Sequence, residues 1–171
     1  AGSGLVNYAE LENQSSDDML NDAMIGAGDF ARIRGLQKST GADMLSVWSV
    51  YSDNCGLAGG LYPNNDPNDV SLADAAYYQV STIGAISDCG VGTFTHEVGH
   101  LLGANHERHV IPDSVPGPTG YDYGYVDLGR FRDIMAYGNE CDNTGQACPT
   151  IKYFSNPDVS YQGRPVGVAD S

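Results

Sequence analysis

The chain has 171 residues, 41% of them hydrophobic, enough for one domain with a real core and too apolar for wholesale disorder. Eight Lys and Arg stand against 22 Asp and Glu, and the formal charge of -14 makes phosphate backbones and anionic membranes poor partners. No apolar run approaches the roughly 18 residues of a membrane span. Ala1 to Leu20 also lacks the basic start and apolar stretch of a secretory leader, as a mature processed chain or a cytosolic one would.

In chain order, Val6 to Glu10 reads as a short strand. A helix is expected from about Asp17 to Lys38, where Ser15 and Asp18 have capping-box spacing and Leu20, Ala23, Ala27, Phe30 and Ala31 recur near helical period. Gly26 and Gly28 weaken that helix and mark where it could split. Met44 to Tyr51 reads as a strand whose Met44, Trp48 and Val50 form a core stripe. Asn54 to Asp69, rich in Gly, Asn, Pro and Asp, is expected to be a long loop. Tyr77 to Ser87 reads as one or two strands, or an edge strand with its turn. Val91 to Leu102 is helical in pattern, with Phe94, Val98, Leu101 and Leu102 available for packing and Gly103 as its C-terminal stop. Beyond it, Pro112 to Gly120 is a loop, Tyr121, Tyr123 and Tyr125 make an aromatic-rich segment, and Asn156 to Ser171 is irregular.

The four cysteines, Cys55, Cys89, Cys141 and Cys148, form no CxxC pair and fit two disulfides better than a zinc finger. Three pairings are formally open. Cys141–Cys148 with Cys55–Cys89 is favoured, and it implies an oxidising, extracellular destination.

All four histidines, His96, His100, His106 and His109, fall within fourteen residues. His96 and His100, four apart on a helix, leave the same face one turn apart. Glu97 is rotated about 100° from His96. It is badly placed to bind the same ion but able to reach a water on it. A reversal at Gly103 lets His106 approach from below, and three neutral imidazoles with an open position are what catalytic zinc requires. A chance HExxH on an ordinary helix is the bland alternative; the added glycine and third histidine weigh against it.

The run His96-Glu97-Val98-Gly99-His100-Leu101-Leu102-Gly103-Ala104-Asn105-His106 resembles the extended HExxHxxGxxH motif of the metzincin clan of zinc peptidases, and Ile134-Met135-Ala136-Tyr137 resembles the clan's Met-turn. Within the clan the chain is most similar to bacterial reprolysin-like enzymes of the peptidyl-Asp metallopeptidase type. The likeness extends over Gly41-Ala42-Asp43-Met44, Cys55-Gly56-Leu57-Ala58, Phe94-Thr95-His96-Glu97, Phe131-Arg132-Asp133-Ile134-Met135-Ala136-Tyr137 and Tyr153-Phe154-Ser155-Asn156-Pro157. Two departures stand out. Glu107 follows the third histidine as in astacins, and Tyr137 has the spacing of the tyrosine that ligates zinc in astacins and serralysins.

The resemblance implies an α/β (α+β), metzincin-like zincin fold: a twisted, mostly parallel sheet on helices, with an irregular C-terminal subdomain. One metallopeptidase domain would cover 1–171, divided into an upper subdomain of about 1–103 and a lower one of about 104–171. A first strand and long helix of the clan would be absent or on a separate, cleaved N-terminal fragment. It also implies a secreted zinc endopeptidase made with a propeptide and acting on protein or peptide substrates. One Zn2+ would be bound by His96, His100 and His106, with Glu97 as general base. Met135 would lie under the metal, and Tyr137 would be a fifth ligand or oxyanion donor. Glu107 would make a contact behind the ligands or a salt bridge, with Ala1 as one candidate partner, and His109 would stay outside the ligand set. Substrate would lie extended along an edge strand within Tyr77 to Ser87. The pocket after the cut would be walled by Gly138 to Pro157, and Lys152, Arg164, Arg130 and Arg132 are the cations that could receive an acidic side chain there. Calcium is conceivable for so acidic a chain, but no EF-hand pattern assigns it a site. The rival readings are a zinc hydrolase of a non-protein amide and a secreted binding or toxin module with structural zinc; the intact Glu97 argues against the second.

Overall fold

A computed structural model describes residues 15–50, 53–60, 79–84, 89, 92–111 and 122–169. The expected strand at Val6 to Glu10, Ala1, Tyr121 and the loop Pro112 to Gly120 lie outside them. The chain forms two compact units, 1–102 and 103–171.

The first unit begins with α1 (Ser16–Ile25) and α2 (Phe30–Thr40). Ser15 and Asp18 close the capping box reciprocally, satisfying amides that the first helical turn leaves without partners. The single helix expected over Asp17 to Lys38 is two. Gly26 and Gly28 both take positive φ, 71° and 53°, which reverses the chain between α1 and α2. The amide of Ser16 donates to Asp53 at 2.8 Å, fastening the start of α1 to the segment after the first strand. The Ser16 hydroxyl, then its amide, hold the Asp53 carboxyl below the usual range.

β1 (Leu45–Ser49), β2 (Gly56–Ala58) and β3 (Val80–Gly84) form a sheet in the order β1-β3-β2. β1 runs parallel to β3, with Leu45 opposite Val80; β2 runs antiparallel to it, with Leu57 opposite Thr82. This is a mixed α/β sheet packed against helices. Leu45, Val47, Leu57 and Val80 share one face, where they meet Met19, Leu20, Ala23, Met24 and Phe30 of α1 and α2. Gly56 and Trp48 are both paired with Ile83, and so share the opposite face, which meets α3 (Thr93–Leu101).

Four expectations change here. The core face of β1 carries Leu45 and Val47, whereas Trp48 and Val50 are 60% and 66% exposed, because the pleat turns the odd residues toward α1. The long loop contains a strand, β2, since its Cys55-Gly56-Leu57-Ala58 run can pair with β3 in spite of the turn-rich residues around it. β3 is central rather than an edge, and all of its residues are buried. On α3 the buried residues are Glu97, Gly99 and Leu101; Phe94 and Leu102 are exposed, and Phe94 packs on Trp48 with ring centroids 5.7 Å apart.

The second unit is built from short pieces: the hairpin β4 (Val126–Asp127) and β5 (Phe131–Arg132), the helix α4 (Asn139–Asn143), and the hairpin β6 (Ser160–Tyr161) and β7 (Arg164–Pro165). Its core is Phe131, Ile151 and Val166, ringed by Tyr125, Val159 and Tyr161. The segment read as irregular thus holds a hairpin, turned by Gln162 and Gly163, both at positive φ. Disulfides join Cys55 to Cys89 beside β2 and Cys141 to Cys148 across the end of α4. No helix among the described residues is long and apolar enough to cross a membrane.

Ser15→Ala removes the side-chain acceptor of the capping box. It should lower unfolding stability by about 1 kcal/mol in a urea titration.

Candidate metal centre

α3 begins at Thr93 without a side-chain cap and ends where Gln79, just before β3, donates through Nε2 to the Leu101 carbonyl at 2.9 Å. One helical turn brings the Nε2 atoms of His96 and His100 to 3.1 Å, with ring planes at 87°. Glu97 points elsewhere, into the sheet, and is 5% exposed. Its carboxylate lies over Gly56 of β2. A methyl group at Gly56 would stand 2.5 to 2.8 Å from the Glu97 carboxylate and its γ-carbon, so the absent side chain is what makes room for it. Burial pushes the Glu97 carboxyl up to about 7, near balance for accepting and returning a proton at neutral pH.

At Gly103 the backbone takes φ 95°, which only glycine adopts without strain, and the chain leaves the helix axis. The following segment is held by the Asn105 amide donating to the Asp122 carbonyl at 2.6 Å and the Gly124 amide donating to the Asn105 carbonyl at 3.0 Å. Along this continuous stretch, His96, His100 and His106 each offer a nitrogen, all within 4.8 Å of one another. Two imidazole nitrogens bound tetrahedrally at about 2.0–2.1 Å to one zinc ion stand roughly 3.3 Å apart, close to the His96–His100 spacing. The three donors fit a single metal ion.

In the second unit, the His106 ring lies 4.0 Å from that of Tyr137, which is 44% exposed. The Tyr137 amide donates to Oε2 of the buried Glu107 at 2.7 Å. Ala1, a candidate partner of Glu107, is outside the described residues. Met135 is buried in the turn before Tyr137. That turn is shaped by Asp133, whose Oδ1 accepts from the amides of Met135 and Ala136 at 3.0 and 2.9 Å. Burial pushes the Asp133 carboxyl up to about 6, outweighing backbone amides at Ala136, Tyr125, Met135 and Ser155 that favour its charge. His109 is exposed, with Nε2 3.2 Å from Asn143.

The four candidate specificity cations are not equivalent. Arg164 forms an ion pair with Asp127, and Arg130 and Lys152 are exposed. Arg132 is half-buried and donates through Nε to the Thr150 hydroxyl at 2.9 Å. No motif in the sequence marks Gly56 or Asp133 for a role at the site. Gly56 carries no signal beyond its type, and the hydrogen-bonding habit of Asp two residues before a turn was the available clue to Asp133.

Residues 4–107 match the metallo-peptidase family M12B, reprolysin-like. The chain is similar to a peptidyl-Asp metalloendopeptidase of Stenotrophomonas maltophilia, 33% identical over 175 residues covering 100% of this chain and 37% of that protein. One of Xanthomonas campestris is 31% identical over 168 residues, covering 97% and 35%. Serralysin G of Dickeya chrysanthemi is 34% identical over 94 residues, covering 52% and 18%. The chain thus spans little more than a third of the peptidyl-Asp relatives' length. No solved structure matches it.

Gly56→Ala should push the Glu97 carboxylate aside and lower unfolding stability by about 1–3 kcal/mol in a urea titration. Zinc content, read by metal analysis, should stay at the parent level. For Asp133 the folded pKa, about 6, lies above the ordinary 3.8, so its contribution to stability is complete below pH 3.8 and lost as pH rises through 6. Measured against Asp133→Asn, parent stability should therefore fall by on the order of 2–3 kcal/mol between those limits. A difference that stays flat with pH would refute the assignment.

Proposed function

This chain belongs to the reprolysin-like metallopeptidases of family M12B, and from that membership we propose that it is a secreted zinc-dependent endopeptidase. Zinc would be held by His96, His100 and His106. The observation that carries the reading is the pair of Nε2 atoms 3.1 Å apart, with the third imidazole in reach, on a helix that also carries a buried carboxylate left over for proton transfer.

When bound at such a donor set, zinc supplies Lewis acidity, polarising the scissile carbonyl and acidifying water. The chain's own residues do the rest. Glu97, kept out of the ligand set by its place on the helix, takes the proton of the attacking water and returns it to the leaving amine. Tyr137, exposed and stacked on His106, offers its hydroxyl to the oxygen that gains charge or serves as a further ligand. Met135 supplies an apolar floor.

With β3 flanked by β1 and β2, the expected substrate edge within Tyr77 to Ser87 is ruled out for the described strand. Among the described strands, the outer edge of β2, whose Gly56 lies on Glu97, takes that role: an extended peptide adds to it by backbone hydrogen bonds. Two disulfides support a secreted location. A preference for an acidic residue after the cut is supported by the likeness to the peptidyl-Asp relatives.

Glu97→Ala should reduce peptide hydrolysis by about 100-fold or more while zinc stays bound. A chelator should abolish activity and added Zn2+ restore it. Full activity of the alanine variant would sink the proposal.

A further inference from the structure

Arg132 differs from the other candidate cations in what surrounds its charge. It lies on β5, half-buried, with Nε committed to Thr150. Its Nη1 rests against the backbone of Gly138: a methyl group there would collide with it, while Asp142 Oδ2 would stand 3.3 Å from the same carbon. No ion pair joins Arg132 to Asp142 or to any other carboxylate of the described residues. A half-buried guanidinium that forms no ion pair keeps its charge available to a visiting carboxylate. Nε is taken, but the terminal nitrogens can still present donors to a carboxylate.

Gly138 is also the residue directly after Tyr137, whose ring lies 4.0 Å from His106. The unpaired charge therefore stands one residue beyond an aromatic that touches a proposed zinc ligand. Arg164, by contrast, is neutralised by Asp127, and Arg130 and Lys152 hold their charges in open solvent. In a chain of net charge -14, an acidic substrate is repelled at long range, so its recognition needs a short-range, partly desolvated cation.

We infer that the Arg132 guanidinium receives the carboxylate of an acidic substrate side chain and sets the preference for the residue after the cut. This rests on the peptidase reading above. Gly138 keeps the space that lets the guanidinium lie against the chain, and Thr150 orients it.

The test uses the zinc-loaded chain and two matched peptides, with Asp or Asn after the cut. The quantity read is the ratio of kcat/KM for Asp over Asn. Arg132→Gln should lower that ratio at least roughly tenfold, mainly through KM, as expected for a lost charge-assisted hydrogen bond. Arg164→Gln should keep the parent ratio. Should Arg132→Gln fail to fold, Gly138→Ala decides instead: it displaces the guanidinium without removing its charge, and the same fall is expected. A parent ratio near one would overturn the acidic preference and with it this role. A clear parent preference that survives Arg132→Gln, or Gly138→Ala in its place, would overturn the role of Arg132 alone.

Discussion

The structure around the site follows from one constraint on α3: two imidazoles must converge while the carboxylate between them is kept away. Nine residues suffice because helical geometry puts His96 and His100 on one side and turns Glu97 toward the sheet. The Nε2 separation of 3.1 Å is short for two neutral rings unless they share a proton or a metal. It matches two corners of a zinc tetrahedron.

Burying Glu97 is the difficult part of that arrangement. An ionised carboxylate loses its hydration there, which is why its pKa climbs to about 7. The sheet accommodates it sterically: β2 sets Gly56 under the carboxylate, and a larger residue would leave no room. β3 then serves two purposes. Its central position fixes β2 on one side, and the adjoining Gln79 holds the end of α3 through the Leu101 carbonyl.

The second unit uses buried acids in another way. Asp133 and Glu107 are almost wholly buried, and both accept hydrogen bonds from backbone amides of the segment Met135 to Tyr137. A short, irregular unit has few strands with which to hold a turn, so side-chain acceptors take over from a ladder. The aromatic core of Phe131, Tyr125 and Tyr161 and the Cys141–Cys148 bond stabilise what little regular structure surrounds it.

The spacing of His96, Glu97, His100, Gly103 and His106 was legible by itself, because helical period and a glycine stop are local properties of the chain. So was the capping box at Ser15. The inward face of β1, the strand at Gly56 and the central place of β3 were not. A pleat shows period two on either face, and only packing against α1 and α2 selected Leu45 and Val47 over Trp48 and Val50. Nor could composition separate Arg132 from Arg164, since a cation's role depends on whether a carboxylate lies within reach. The convergence of three histidines follows from their spacing, while strand order, burial and charge pairing arise between residues distant in sequence and are decided only when the chain is folded.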